Sequence, residues 1–143
     1  MRICVLALEG LFDTGLAVTL DALRAANGLA ARTMGGIPRF DVSVVGVRRR
    51  VRSGQGFTIP VQAITPKLKP DWVIVPALGT TIPELLLPAL ERRDVREATD
   101  QLLRWRNDGA LIAASCIGTF ILAEAGLLDH REATTTWSLA PLP

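Results

Sequence analysis

The sequence predicts an α/β domain with a mainly parallel β-sheet and helices on both of its faces. Short apolar runs at residues 3–8, 71–75 and 110–114 are typical of strands that are buried on both sides. Segments with helical apolar spacing lie between these runs. Alternation of strand and helix predicts parallel strands joined by right-handed crossovers.

The length and composition indicate a single globular domain over residues 1–143. The chain has 143 residues, of which 49% are hydrophobic and 21% are charged. This balance supports a hydrophobic core and excludes an intrinsically disordered chain. The formal net charge of +2 is too small to predict nucleic-acid binding by itself.

The first half of the chain contains two strong strands and one helix. Residues 3–8 form the first predicted strand, which ends at Glu9-Gly10. Residues 13–15 offer helix-capping chemistry, and residues 16–31 follow a helical period. A loop at residues 33–38 precedes a β-branched strand at residues 40–47, and residues 57–61 resemble a short further strand.

The second half repeats the alternation. A strand at residues 71–75 ends at Pro76, and Pro83 is expected at the first helical position behind a Thr81 cap. Pro88 is expected to interrupt that helix. A stronger helix follows at residues 94–107, then a strand at 110–114 and a helix at 118–127, and residues 132–137 look like the start of another strand.

The strand, turn and helix around Ser115-Cys116-Ile117-Gly118 match the spacing of a nucleophile elbow. Ala114 and Gly118 are the small residues that such a sharp turn requires two positions before and after its apex. Backbone N–H groups at a helix start favour a thiolate there. The alternative is an inert core thiol, since cysteine is among the most buried residue types.

Three loops should converge at the carboxyl ends of the strands, where ligands bind in such sheets. They are residues 9–13, 77–80 and 115–118. A reactive cysteine needs a proton partner. His130 lies beyond the last helix, roughly 15 Å away at 1.5 Å per helical residue, which leaves Glu9 and Asp13 as candidates. Asp13 could instead cap the first helix, and Glu9 could point into water.

Other classes of site have little support in the sequence. Cys4 and Cys116 do not make a disulfide framework, and we expect both to be reduced. No clustered metal ligands, nucleotide-binding motif or cofactor motif is present. The arginines of residues 48–52 are expected to be solvated, and the three tryptophans to lie in the core or at an interface. The absence of a signal peptide or membrane-length apolar run predicts a cytoplasmic location.

The most specific block of the sequence is residues 115–129 followed by residues 133–137. It closely resembles the ThiJ/PfpI-like domain of the class I glutamine amidotransferase-like superfamily, and in particular the N-terminal domain of AraC-type transcriptional regulators. Residues 20–27 are similar to the first helix of that group, and the resemblance covers essentially the whole chain.

The resemblance implies a flavodoxin-like three-layer fold, an elbow cysteine at Cys116 and a homodimer. Enzymes of the superfamily pair this cysteine with an acid from the loop after the first strand. The corresponding spacing falls at Gly15, so Glu9 or Asp13 would have to substitute. Relatives often carry a histidine just before the tryptophan of the last block, where this chain has Thr136. Both departures favour binding over catalysis.

We therefore expect a ligand-sensing, dimerising regulatory domain that binds a small molecule near the Cys116 elbow. A cysteine-dependent hydrolase or hydratase is the alternative, and an inactive scaffold is a third possibility. The domain is expected to be C-terminally incomplete. No helix-turn-helix pattern remains in it, so DNA would be contacted only through a separate domain. The residues expected to bind the ligand are Gly10, Gly79, Ser115, Cys116 and Ile117.

Overall fold

We describe residues 1–33, 36–80 and 82–139 of a computed structural model of the chain. The strands are β1 (Arg2–Leu6), β2 (Asp41–Gly46), β3 (Val51–Arg52), β4 (Thr58–Ile59), β5 (Gln62–Ala63), β6 (Trp72–Val75) and β7 (Leu111–Ala114). The helices are α1 (Asp13–Ala30), α2 (Pro83–Leu90), α3 (Arg93–Asn107) and α4 (Gly118–Glu124).

Five strands form one parallel sheet in the order β5-β2-β1-β6-β7. The strands β3 and β4 pair separately as an antiparallel ribbon. The central strand β1 is buried at both faces from Ile3 to Leu6, as its apolar run predicts. The predicted α/β fold with a parallel sheet, of the flavodoxin-like type, is confirmed.

The helices lie on both faces of the sheet and create two hydrophobic layers. On one face, α1 packs through Leu16, Leu20 and Leu23 on β1, β2 and β6. On the other face, α2, α3 and α4 enclose a larger cluster that includes Trp105. The Trp105 indole donates a hydrogen bond of 3.3 Å to the Leu68 carbonyl, which places this tryptophan in the core as expected.

Several local predictions differ from the structure. Residues 132–137 form no strand, and β5 forms from residues that carry no strand signal. Pro88 lies inside α2, which ends at Leu90. Pro83 does occupy the start of α2, but the expected Thr81 cap lies outside the described residues, as do Met34 and Gly35 of the predicted loop.

Candidate functional site

The turn between β7 and α4 holds Cys116 in a left-handed backbone conformation. The φ angle of Cys116 is +53°, a region that residues with a side chain rarely adopt. The Ser115 N–H donates to the Val75 carbonyl at 3.1 Å, and the Gly118 N–H donates to the Ser115 carbonyl at 2.9 Å. The turn is thus anchored both to the neighbouring strand and within itself.

Gly118 is required because the start of α4 presses against the end of β6. A Cβ atom at Gly118 would lie 2.5 Å from the Val75 carbonyl oxygen and 3.0 Å from that of Pro76. The first of these contacts is shorter than real Cβ atoms show, and the second is tighter than nine in ten of their contacts. Glycine therefore allows the helix to begin directly beside the strand end.

The loops after β1 and β6, two of the three that were predicted to converge, are in direct contact. The Gly79 N–H donates to the Gly10 carbonyl at 2.6 Å, and the Phe12 N–H donates to the Ala77 carbonyl at 2.8 Å. A Cβ atom on Gly79 would lie 2.8 Å from the same Gly10 oxygen. The loop after β6 can approach the loop after β1 this closely only because residue 79 has no side chain.

A cavity of about 140 Å³ opens beside Cys116. The turn forms one wall, the loops after β1 and β6 form the second, and residues 136–139 form the third. Its lining residues are Phe12, Ala77, Leu78, Cys116, Ile117, Thr136, Ser138 and Leu139. Two residues expected to bind ligand, Cys116 and Ile117, thus line the cavity, while Gly10, Gly79 and Ser115 lie in the adjoining loops.

The third wall contains residues that the sequence did not single out for ligand binding. Thr136 stands where relatives carry a histidine, so the resemblance gave a signal for this position. The sequence gave no signal for ligand binding at Ser138 and Leu139, because they follow a segment that was expected to be a strand. The sequence gave no such signal for Phe12 either, since a single aromatic residue beside the start of a helix is common at protein surfaces.

Glu9 is held away from the cavity by its own contacts. Its side chain is exposed, and its Oε2 atom accepts a hydrogen bond of 3.0 Å from the Arg52 N–H. The Arg92 guanidinium donates to the Glu9 carbonyl at 2.7 Å and pairs with Asp94 through two contacts of 2.9 Å. The loop after β1 is therefore clamped between the β3–β4 ribbon and the start of α3.

Asp13 does not cap α1 through its side chain. It is the first residue of the helix, the N-cap position is Phe12, and no side-chain capping bond forms. The Asp13 Oδ2 atom instead accepts the Gln55 N–H at 3.0 Å. The carboxylate therefore fixes the turn of the β3–β4 ribbon, which the local sequence around residue 13 could not indicate.

The structure brings no proton partner to the Cys116 thiol within the described residues. Neither Glu9 nor Asp13 hydrogen-bonds to the thiol there, and neither lines its cavity. His130 is exposed in the turn after α4, as expected. Both thiols are free, but only that of Cys116 is accessible.

Cys4 is a structural residue. Its side chain is fully buried in the core, and burial raises the pKa of its thiol above the ordinary value. The Ser43 hydroxyl lies 3.6 Å from the Cys4 sulfur and partly offsets that effect. Cys116 is therefore the thiol that reagents in solution can reach.

The described residues contain neither a cluster of metal ligands nor a membrane-spanning helix. In residues 1–33, 36–80 and 82–139, no three His, Cys, Asp or Glu side chains are grouped so that they could hold a metal ion. In the same part of the chain, no helix has the length and apolar character needed to cross a membrane.

Comparison with solved structures shows the fold. A candidate transcriptional regulator of Vibrio parahaemolyticus superimposes with a TM-score of 0.72 at 21% identity, over 98% of this chain and 69% of that one. An AraC family transcriptional regulator of Pseudomonas putida gives 0.65 at 21% identity, over 91% of this chain and 63% of that one. DJ-1beta of Drosophila melanogaster gives 0.60 at 21% identity, over 87% and 60%.

The sequence comparisons point to one family. No curated protein matches this sequence. Residues 1–141 match the DJ-1/PfpI family, in agreement with the ThiJ/PfpI-like resemblance of the sequence. Because this match covers nearly the whole chain, the chain belongs to the DJ-1/PfpI family.

Proposed function

We propose that this domain is the ligand-sensing part of an AraC-like transcriptional regulator and that a small molecule binds in the cavity beside Cys116. The cavity itself is the observation that carries the proposal. It lies where the loops after β1, β6 and β7 meet, which is the usual ligand position in parallel sheets. The similarity in fold to an AraC family regulator supports the regulatory role.

In this proposal the Cys116 turn has the geometry of a nucleophile elbow, but it forms the floor of a ligand-binding site and does not act as a catalyst. Its positive φ angle and the close approach at Gly118 agree with elbow geometry. The thiol has no base or carboxylate bonded to it in the described chain. A thiol exposed in a cavity without a proton partner suits binding better than turnover.

The expected homodimer is supported by an exposed apolar stripe on α1. Residues spaced three and four apart share one face of a helix. Such spacing joins Gly15, Val18, Ala22, Ala25 and Leu29, and Val18 and Leu29 are 60% and 65% exposed. Small residues within the stripe would allow close packing against the same helix of a second copy across a two-fold axis.

The position of this stripe agrees with an interface. A polar groove lies between the flank of α1 that carries Asp21 and Arg24 and the start of β2. The stripe points away from the sheet, because it lies across the helix from the buried Leu16. On the face of the sheet that α1 covers, β7 is also partly bare, since Leu111 is 48% exposed and its neighbours in that layer are half-buried. A second copy would cover both surfaces together.

A cysteine-dependent hydrolase or hydratase is the second candidate. The exposure of Cys116 in a cavity favours it, because a nucleophile must reach its substrate. Glu9 or Asp13 would have to leave its present backbone partner and turn towards the thiol to act as the proton partner. In the regulatory role, DNA would be contacted through a separate helix-turn-helix domain. In either role, the two free cysteines suit the reducing cytoplasm.

Thermal denaturation across a metabolite panel tests the sensing role. A compound that binds the folded state and not the unfolded state raises the melting temperature, and the rise grows with ligand concentration relative to its Kd. We expect at least one compound to do so in the wild-type chain and to lose its effect in Thr136→Trp, which places a large side chain in the cavity wall. Ala17→Trp is the control, since it adds the same ring at an exposed position outside both the cavity and the apolar stripe of α1. A flat response over a broad panel would refute the proposal.

A further inference from the structure

The walls of the Cys116 cavity carry no formal charge in the described chain. Five of the eight lining side chains are hydrocarbon, and the others are the thiol of Cys116 and the hydroxyls of Thr136 and Ser138. The nearby ionic groups are already engaged. Arg92 pairs with Asp94, while Glu9 and Asp13 each accept a backbone N–H elsewhere.

This lining disfavours charged ligands. A carboxylate or ammonium group transferred from water to an apolar cavity loses its hydration, and the loss is large unless an opposite charge compensates for it. No guanidinium, ammonium or carboxylate among the described residues faces the cavity to provide that compensation. An uncharged molecule pays no such penalty.

The cavity also has one polar corner. The Thr136 and Ser138 hydroxyl oxygens are 3.5 Å apart, much longer than the usual 2.7–2.8 Å of a hydroxyl hydrogen bond. Their mutual bond is therefore weak, and both hydroxyls keep the capacity to bond a ligand. Because both lie in the same short segment, they would engage a single polar group.

The volume limits the size of the ligand. Apolar protein cavities of about 150 Å³ are known to bind benzene. A cavity of about 140 Å³ therefore has room for one six-membered ring or an aliphatic chain of similar bulk. Larger molecules would have to extend through the open side.

From these features we propose that the cavity takes an uncharged molecule of single-ring size with one hydroxyl, carbonyl or amide group directed at Thr136 and Ser138. This inference rests on the proposed sensing function and names the chemical class of its ligand. The ring or chain contacts Phe12, Leu78 and Leu139, and the bound molecule covers the Cys116 thiol.

Three probes of nearly the same shape separate charge from size: benzamide, which is neutral, benzoate, which is an anion, and benzamidine, which is a cation. The readout is the rate at which iodoacetamide alkylates Cys116 in the full chain, followed by mass spectrometry. Buried Cys4 serves as the internal control, since its modification would report unfolding. We expect millimolar benzamide to slow Cys116 alkylation about threefold or more, and benzoate and benzamidine at equal concentration to have little effect.

A matched variant tests the polar corner. Thr136→Val keeps the side-chain shape and removes the hydroxyl. We expect it to weaken benzamide binding about threefold or more while leaving benzene binding unchanged, because only benzamide carries the polar group. Protection by benzoate or benzamidine equal to that by benzamide would overturn the inference, as would the absence of protection by benzamide.

The inference and the proposed function can fail separately. If a charged metabolite stabilises the wild-type chain and loses its effect in Thr136→Trp, the cavity is a binding site but its ligand class is wrong. If neither the three probes nor the metabolite panel affects the chain, both proposals are refuted.

Discussion

At the scale of single residues, the conformation of Cys116 is the most informative feature. Holding a residue that has a side chain in the left-handed region lowers the free energy of unfolding by about 1–3 kcal/mol, and such strain persists only where the surrounding structure fixes it. Here Gly118 fits between the Val75 and Pro76 carbonyls, and the Ser115 N–H is bonded to β6. The turn is therefore held in place by backbone contacts that do not involve the thiol.

Two substitutions measure this strain. Cys116→Gly and Cys116→Ala both remove the thiol, but only glycine adopts a φ of +53° without steric cost. We expect the glycine variant to have a free energy of unfolding about 1 kcal/mol higher than that of the alanine variant, measured by urea denaturation. Equal stability of the two variants, or greater stability of the alanine variant, would mean that the turn is not strained.

The sequence identified the cysteine but not the partners of the two carboxylates. The spacing of Ala114, Cys116 and Gly118 follows from local steric rules, so the turn could be predicted. Glu9 and Asp13 bond to backbone N–H groups that lie 43 and 42 positions further along the chain. Contacts over that distance depend on how the β3–β4 ribbon folds back, which local pattern does not determine.

At the scale of elements, buried strands and amphipathic helices were predictable, whereas short edge elements were not. The strands β1 and β6 have apolar runs because they pack between layers on both faces of the sheet, and the edge strand β7 packs Ile112 and Ala114 against the larger cluster. The two-residue strand β5 is exposed, and only its pairing with β2 makes it a strand. Residues 132–137 include three β-branched threonines but form no strand, and of these residues Thr136 lines the cavity, so β-propensity gave the wrong prediction there.

Two glycine-to-alanine substitutions are expected to change stability in opposite directions, and the first of them tests the close contact between α4 and β6. In Gly118→Ala the new methyl group would collide with the Val75 carbonyl oxygen, and we expect a loss of about 1–3 kcal/mol in the free energy of unfolding.

Gly28→Ala is the matched control within α1. A Cβ atom there would meet nothing within 4 Å, so alanine should stabilise the helix by about 0.5–1 kcal/mol. Thermal or urea denaturation measures both effects. If Gly118→Ala were as stable as the wild type, the close approach of α4 to β6 would be wrong.

At the scale of the whole molecule, the described chain has a sheet that is covered on both faces but is partly bare at β7. The larger core cluster is enclosed by three helices, while α1 and the β3–β4 ribbon cover the opposite face in the described chain. The apolar stripe of α1 and the half-exposed Leu111 of β7 lie on that second face. This arrangement is the basis of the proposed homodimer.

Two alanine-to-glutamate substitutions on α1 test the dimer. Ala22 lies within the apolar stripe and Ala17 on the polar flank, and both are exposed. We expect sedimentation analysis to find a dimer for the wild type and Ala17→Glu, and a monomer for Ala22→Glu, because buried carboxylates without partners disrupt an interface. A monomeric wild-type chain at micromolar concentration would refute the dimer.

The central claim is that the Cys116 turn is the floor of a binding site and not a catalytic nucleophile. The most direct measurement is the rate of Cys116 alkylation by iodoacetamide at neutral pH, compared with that of a free cysteine under the same conditions. The account predicts a rate no higher than that of the free thiol, because no proton partner is bonded to Cys116 in the described chain. A rate many times higher would contradict it and would favour the cysteine-dependent enzyme.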